Sequence, residues 1–414
     1  MRPGGPLEGT VTVGGAKNSA LKLMAATLLA EGEHRLRNVP HIADVETMCD
    51  VLTSMDLDVR RDRTDDSLVI GRPADVVPEA PYELVERMRA SIVVLGPLLA
   101  SVGHAKVSMP GGDDFGARPI DLHFAGLEAL GAEFSFSHGN IEARAPVLRG
   151  TRVLLEYPSV GATENLLMAA VRAKGTTVID NAAREPEIAD LAAFLNRMGA
   201  RVVGAGTSTI EIEGVDELSP VEHTVIPDRL EAATYLAAVG VAGGEILVEG
   251  ARPDHMDMLL HKLGEMGLRT SPTADGLWAS AGRRLSSVDV STLPYPGIAT
   301  DYKPLLVAML TVADGIGIVT ENVYGAGRFA YVAELARMGA DVRTEGHHAV
   351  IRGVSRLSGA PVKATDLRAG AALVLAGLAA EGETVVTDAF HVERGYDDLA
   401  GRLRSLGADV TLIR

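Results

Sequence analysis

The sequence predicts an α/β protein built from six repeated units, arranged as two domains of three units each. Three observations carry this reading. An apolar helix end followed by "(L/M)-G-(A/L)" and a strand-like run recurs as "GLEALGAEFSF", "FLNRMGARVVG", "KLGEMGLRTS", "ELARMGADVRT" and "RLRSLGADVTL", with glycines at Gly131, Gly199, Gly267, Gly339 and Gly407. "VLTSMDLDVR" is a sixth copy with Asp56 at the glycine position, and the six positions lie 68 to 75 residues apart. A second signature precedes each copy: "LLAEGEHRLRN", "LLASVGHAKVSM", "AVRAKGTTVIDN", "AGGEILVEG", "VADGIGIVTEN" and "LAAEGETVVTD". Finally, 414 residues are long for one core, so two domains of about 200 residues are the natural division.

Each element follows from local chemistry. The second signature is an Ala/Leu-rich helix, a glycine stop and a β-branched strand. The first is a helix end capped by a residue in the left-handed region, where glycine is unstrained and aspartate is tolerated. A unit therefore reads strand, helix, strand, helix, strand, with further short strands. The period is too long for a solenoid.

The starts of the six Ala/Leu-rich helices are the informative part. They read "VGGAKNSALKLM", "ERMRASIVVLG", "YPSVGATENLLM", "IPDRLEAATYLA", "IATDYKPLLVAM" and "KATDLRAGAALV", and carry Lys17, Arg89, Ser159, Arg229, Asp301 and Arg368. Helix N-termini present free N–H groups and partial positive charge. Added cations make such ends suitable for phosphate or carboxylate, which arginine binds with matching geometry. A single such start is more often just a cap with a solvated charge. Six homologous starts favour a shared anion site.

Composition narrows the function. The net charge of −16 argues against a general nucleic-acid or anionic-membrane binder, while leaving room for a local cationic pocket. The only cysteine, Cys49, excludes an internal disulfide framework and a cysteine-based zinc site, and suits a reducing cytoplasm. "MRPGGPLEGTVTV" lacks the apolar core of a signal peptide, and no apolar run reaches the roughly 18 to 20 residues of a membrane span. "GGAKNS" lacks the full phosphate-loop spacing, no G-x-G-x-x-G opens a helix after the first strand, and no G-x-S-x-G elbow is present. His347 and His348 in "GHHAV" lack partners at metal spacing and read as a turn.

The motifs "GGAKNSALKLMAATLLAEG", "MRASIVVLGPLLA", "PGGDDFGARPIDLH", "SVGATENLLMAAV", "NAAREPEIADLAAFLNRMGA", "TDLRAGAALVLAGLAAEG" and "HVERGY" resemble, in order and across essentially the whole chain, the UDP-N-acetylglucosamine enolpyruvyltransferase (MurA) family. That resemblance implies transfer of the enolpyruvyl group of phosphoenolpyruvate to the 3-hydroxyl of UDP-N-acetylglucosamine with release of phosphate, the first committed step of peptidoglycan synthesis. It implies two inverse α/β barrels, one over about residues 17–225 and one from 1–16 plus 226–414, with the active site in the cleft between them. It calls for no metal or organic cofactor, and for no nucleic-acid or membrane partner. Two alternatives stand beside it: an enolpyruvyltransferase for another nucleotide or for shikimate 3-phosphate, and a weakly active paralogue that senses the sugar nucleotide. "SVGATEN" and "PIDLH" favour the uridine nucleotide, and retention of Lys17, Asp301, Arg118 and Arg394 favours an active enzyme.

The resemblance also implies roles. Lys17 and Asn18 match phosphoenolpyruvate-binding positions; Arg118 and Arg394 match cationic contacts to its phosphate or carboxylate, with Arg368 beside them. Arg89, the run Arg118, Pro119, Ile120, Asp121 and Leu122, the run Tyr157, Pro158, Ser159 and Val160, and Val323 match the sugar-nucleotide pocket. Asp301 matches the carboxylate that contacts the 3-hydroxyl and serves as general base, and Asp366 an acidic residue at the reacting centre. Three departures are visible. Asp113 replaces the usual loop cysteine, "VYGAGRF" is one residue longer than usual before Arg328, and Ile298-Ala299 replaces a common aromatic-proline pair.

The chemistry needs an acid for C3, a base for the hydroxyl and cations for the phosphate and carboxylate. The glycine-rich "GGDDFGARP" loop reads as a closing segment that brings Asp113 as the acid. Fosfomycin inactivates usual family members by alkylating the loop cysteine, so Asp113 implies a fosfomycin-insensitive protein.

Overall fold

The computed structural model describes residues 1–111 and 120–413. Their chain contacts divide them into two compact units, one formed by residues 15–111 and 120–226, the other by residues 1–14 and 227–413.

In the first unit three helices are nearly enclosed: Lys17–Ala26, Leu95–Ser101 and Val160–Ala170. The second is entered through a 3-10 run over Arg89–Val94. The other unit repeats the plan with Arg229–Ala242, Lys303–Val312 and Leu367–Leu378, buried along almost their whole length. Beyond a few buried charges, mostly near their starts, these helices carry apolar residues on every face, as a helix covered all round requires. Their Ala and Gly content lets the backbones approach closely. At Gly96 a Cβ would stand 2.3 Å from the carbonyl oxygen of Asn165, so no larger residue fits between the Leu95–Ser101 and Val160–Ala170 helices.

The sheets lie outside these helices. Five of the six units carry a four-stranded sheet in which the first strand runs parallel to the second and the rest are antiparallel. Strands such as Thr209–Glu213 alternate exposed and buried residues, the pattern of a sheet with one face covered and one in water. Outer helices join the strands, for example Ala43–Ser54, Pro186–Arg197 and Asp257–Met266. In the sixth unit the sheet is reduced to two short parallel pairs, and its antiparallel half is a single bridge between Arg2 and Asp409.

The first strand of each unit's opening sheet comes from a distant part of the chain. Leu7–Thr12 pairs in parallel with Gly244–Glu249, which ties the N-terminal segment to the 227–413 portion. Glu222–Thr224 pairs with Gly32–Arg37 and closes the other unit. The six repeat positions are all left-handed as expected: Asp56 has φ 69°, and the five glycines have φ between 85° and 109°. His347 occupies the turn between the strands Asp341–Glu345 and His348–Arg352. Among the described residues no helix is long and apolar enough to cross a membrane.

Candidate active site

Asp301 lies two residues before the Lys303–Val312 helix. Its Oδ1 accepts a hydrogen bond from a terminal nitrogen of Arg328 at 2.7 Å, and its Oδ2 lies 3.5 Å from Nε of Arg368. Both arginines are buried, whereas the Asp301 side chain is 28% exposed. The carboxylate is thus accessible from one side and faces two cations on the other.

Arg368 sits in the first turn of the Leu367–Leu378 helix, whose N-cap is Asp366. The Asp366 carboxylate accepts from the backbone amides of Arg368 and Ala369, each at 2.9 Å. The Arg368 guanidinium lies 5.3 Å from the centre of the Tyr396 ring, and the Tyr396 hydroxyl meets Thr234 Oγ1 at 2.8 Å. Burial works against the Arg368 charge, but Tyr396, Asp301 and Asp228 outweigh it and raise its pKa. Among the described residues neither buried terminal nitrogen of Arg368 has a hydrogen-bond partner at good geometry, the Tyr396 hydroxyl being the polar group beside them. Unfilled donors on a buried guanidinium are uncommon, and a carboxylate or phosphate would fill both.

Behind Asp301 is a second layer. Lys303 and Glu321 form a fully buried ion pair at 2.9 Å. Glu321 also accepts from Thr292, Thr300 and the amides of Val323 and Tyr324. Val323 is therefore held by its backbone. Arg394 directly follows the short helix Phe390–Glu393 and is half-buried. Arg229 is buried against the Tyr295 and Tyr302 rings, and Asp228 caps its helix.

In the 15–226 unit, Lys17 and Asn18 open the Lys17–Ala26 helix. The Lys17 ammonium pairs with Asp44 at 2.8 Å. Ser19 donates to Asp190, which also meets His223 at 2.7 Å, so the first turn is fastened from its buried side. Lys22 donates to the Asn18 carbonyl at 3.1 Å and lies 3.5 Å from Glu164. Burial pushes the Glu164 carboxyl up to about 7.

His123 draws the other expected positions together. It is buried, and its Nδ1 accepts from Asn165 Nδ2 at 2.8 Å, which joins the Asp121–Ala129 and Val160–Ala170 helices. Burial first, and then the Arg89 charge, lower its pKa to about 4, while Asp121 opposes. The imidazole is therefore neutral, with Nδ1 as the acceptor. Ile120 is buried at the N-cap of the Asp121–Ala129 helix, Asp121 is exposed and Leu122 half-buried. Tyr157 is 39% exposed, Pro158 is half-buried, and Ser159 caps the helix that Val160 begins by accepting from the Ala162 amide at 3.3 Å. Asp113, Arg118 and Pro119 lie outside the described residues.

Thus Asp301, Arg368 and Asp366 come together in one unit; Arg89, Asp121 and the Ser159–Val160 helix start gather around His123 in the other. Sequence reasoning missed Asp44, His123, Lys303 and Glu321. Only Lys303 had a visible signal, a lysine inside an otherwise apolar helix start.

Units of three repeats, with enclosed helices inside and sheets outside, define the enolpyruvyl transferase fold. The structure superposes on the enolpyruvyl transferase NikO from Streptomyces tendae with a TM-score of 0.89 at 25% identity, covering 99% of this chain and 97% of that one. It shares its fold with EPSP synthase from Acinetobacter baumannii, at TM-score 0.75 and 17% identity over 100% and 99% of the two chains. Residues 1–403 match the family model described as EPSP synthase (3-phosphoshikimate 1-carboxyvinyltransferase). The chain belongs to this family. Among its relatives are UDP-N-acetylglucosamine 1-carboxyvinyltransferase 1 of Caldanaerobacter subterraneus subsp. tengcongensis, 51% identical over 405 residues (98% of this chain, 97% of the relative). UDP-N-acetylglucosamine 1-carboxyvinyltransferase of Myxococcus xanthus is 50% identical over 411 residues, covering 99% and 98%.

Proposed function

We propose that this protein transfers the enolpyruvyl group of phosphoenolpyruvate to the 3-hydroxyl of UDP-N-acetylglucosamine and releases phosphate, committing the sugar nucleotide to peptidoglycan synthesis in the cytoplasm. What carries the reading is identity of about half the residues, over almost the full length of both chains, to relatives named for that reaction. The shikimate name is that of the family model, whereas the relatives sharing about half their residues with this chain are named for the sugar nucleotide, which favours that acceptor.

Asp301 takes the proton of the 3-hydroxyl as its oxygen attacks C2, and Asp113 delivers a proton to C3. The tetrahedral intermediate then loses phosphate and a C3 proton, which restores the double bond. Lys17, Asn18, Arg118, Arg368 and Arg394 hold the phosphate and carboxylate of phosphoenolpyruvate; the two unfilled donors of Arg368 support its share of this task. Asp366 fixes the helix start that presents Arg368. Arg89, Arg118, Pro119, Ile120, Asp121, Leu122, the Tyr157–Val160 segment, Asp301 and Val323 receive the sugar nucleotide. Mass spectrometry of the nucleotide product tests this: it should carry one added enolpyruvyl group, and unmodified UDP-N-acetylglucosamine after prolonged incubation would refute the assignment.

A further inference from the structure

The Lys303–Glu321 pair is an unusual thing to enclose. Removing both charges from water is costly, and an apolar pair of similar volume often serves stability as well. Both side chains are completely buried. Two contacts of the pair lead to Asp301, one from each member. Glu321 Oε2 accepts from Thr300, the residue before Asp301, at 2.7 Å. Its Oε1 accepts from the Val323 amide at 2.8 Å. Lys303 donates to the backbone carbonyl of Arg328 at 2.8 Å, and the Arg328 side chain is the one that grips Asp301. The Lys303 ammonium also stands 3.8 Å from the centre of the Phe329 ring.

We propose that Lys303 and Glu321 are a positioning pair, which holds the Asp301 carboxylate and the Arg328 guanidinium in register for proton transfer from the acceptor hydroxyl. The proposal rests on Asp301 being the base. Neither residue of the pair touches the reacting atoms: Glu321 acts through the hydroxyl of Thr300, next to Asp301, and Lys303 through the carbonyl of Arg328, whose guanidinium holds Asp301.

The pair also has a built-in pH limit. The groups facing the Lys303 ammonium are Glu321, Arg328 and Asp366, and Tyr331 lies in the same buried field. Burial lowers the Lys303 pKa to about 8, with Glu321 opposing and Arg328 adding to the fall. As pH rises through that value the ammonium becomes an amine, the ion pair is lost, and Glu321 is left as a buried charge without its partner. Turnover should therefore decline on the alkaline side, near pH 8.

Steady-state rates from pH 6 to 10 on the unmodified protein, on Lys303→Met, on Glu321→Gln and on the double variant test this, with Asp301→Asn assayed beside them. Each single variant should lose roughly tenfold or more in kcat with the KM for phosphoenolpyruvate changed less than about threefold. The double variant should lose the alkaline limb while remaining folded by circular dichroism. A parent profile flat to pH 10 overturns the proposal without any variant. So does normal kcat in Lys303→Met, provided Asp301→Asn is inactive. If Asp301→Asn keeps its turnover, the choice of base has failed, and the positioning role fails with it.

Discussion

Arg328 reaches back 27 residues to Asp301 and donates to its carboxylate at 2.7 Å. The segment that carries this arginine, "VYGAGRF", holds two glycines, and its guanidinium meets the carboxylate. The 3-10 turn Ala326–Phe329 takes up the local path, and Lys303 holds its Arg328 carbonyl from inside.

Asp301→Asn keeps the shape of the side chain and removes its ability to accept a proton. Turnover should fall by about 10²-fold or more, the usual contribution of a general base. Binding of UDP-N-acetylglucosamine, followed by calorimetry, should survive. Near-normal turnover would remove Asp301 from that role.

How much of this was legible in advance depends on the range of each interaction. Periodicity is local, so Gly131, Gly199 and their counterparts gave away the repeats, and the left-handed φ at Asp56 follows from the same local rule. Asp301 and Arg368 stood out because they open helices. Lys303–Glu321, Lys17–Asp44 and His123–Asn165 join residues 18 to 42 positions apart. Their pairing is set by which helix ends the fold brings together, which no spacing in the chain encodes. The pairings of Leu7–Thr12 with Gly244–Glu249 and of Glu222–Thr224 with Gly32–Arg37 are equally non-local.

Lys17 is held by Asp44 at 2.8 Å in the protein as it stands. Lys17→Ala should raise the KM for phosphoenolpyruvate by about tenfold or more, the loss expected for a contact to a charged group. Asp44→Asn should also change that KM, since it frees the ammonium from its carboxylate. Initial-rate kinetics at fixed sugar nucleotide decide this. An unchanged KM in Lys17→Ala would place the lysine elsewhere in the cycle.

His123 makes the protein acid-sensitive. Its folded pKa, about 4, is below the ordinary value near 6.5, so between these two the unfolded chain binds the proton more readily. Stability from this group is therefore full above pH 6.5 and falls as pH drops toward 4, by at most about 3 kcal/mol. Urea unfolding of the parent and of His123→Gln at pH 7 and pH 4.5 isolates the effect: the variant should gain on the parent at the lower pH. A pH-independent difference would show that His123 is not held neutral.

Fosfomycin should leave no lasting adduct. A carboxylate at Asp113 is a far poorer nucleophile toward an epoxide than a thiolate. The remaining thiol, Cys49, is pushed up to about 12 by burial and then by Glu46, so it is scarcely ionised at neutral pH. Asp113→Cys should restore time-dependent inactivation. Intact-protein mass spectrometry reads both outcomes, and a stable adduct on the unmodified chain would mean the loop or the nucleophile is other than proposed.

The most direct test is phosphate release from phosphoenolpyruvate, followed with a panel of acceptors: UDP-N-acetylglucosamine, other nucleotide sugars, free nucleotides and shikimate 3-phosphate. Rapid release with UDP-N-acetylglucosamine, and little with any other, is the expected result. Release with shikimate 3-phosphate or a different nucleotide in preference to it, or with no acceptor at all, would contradict the proposed function.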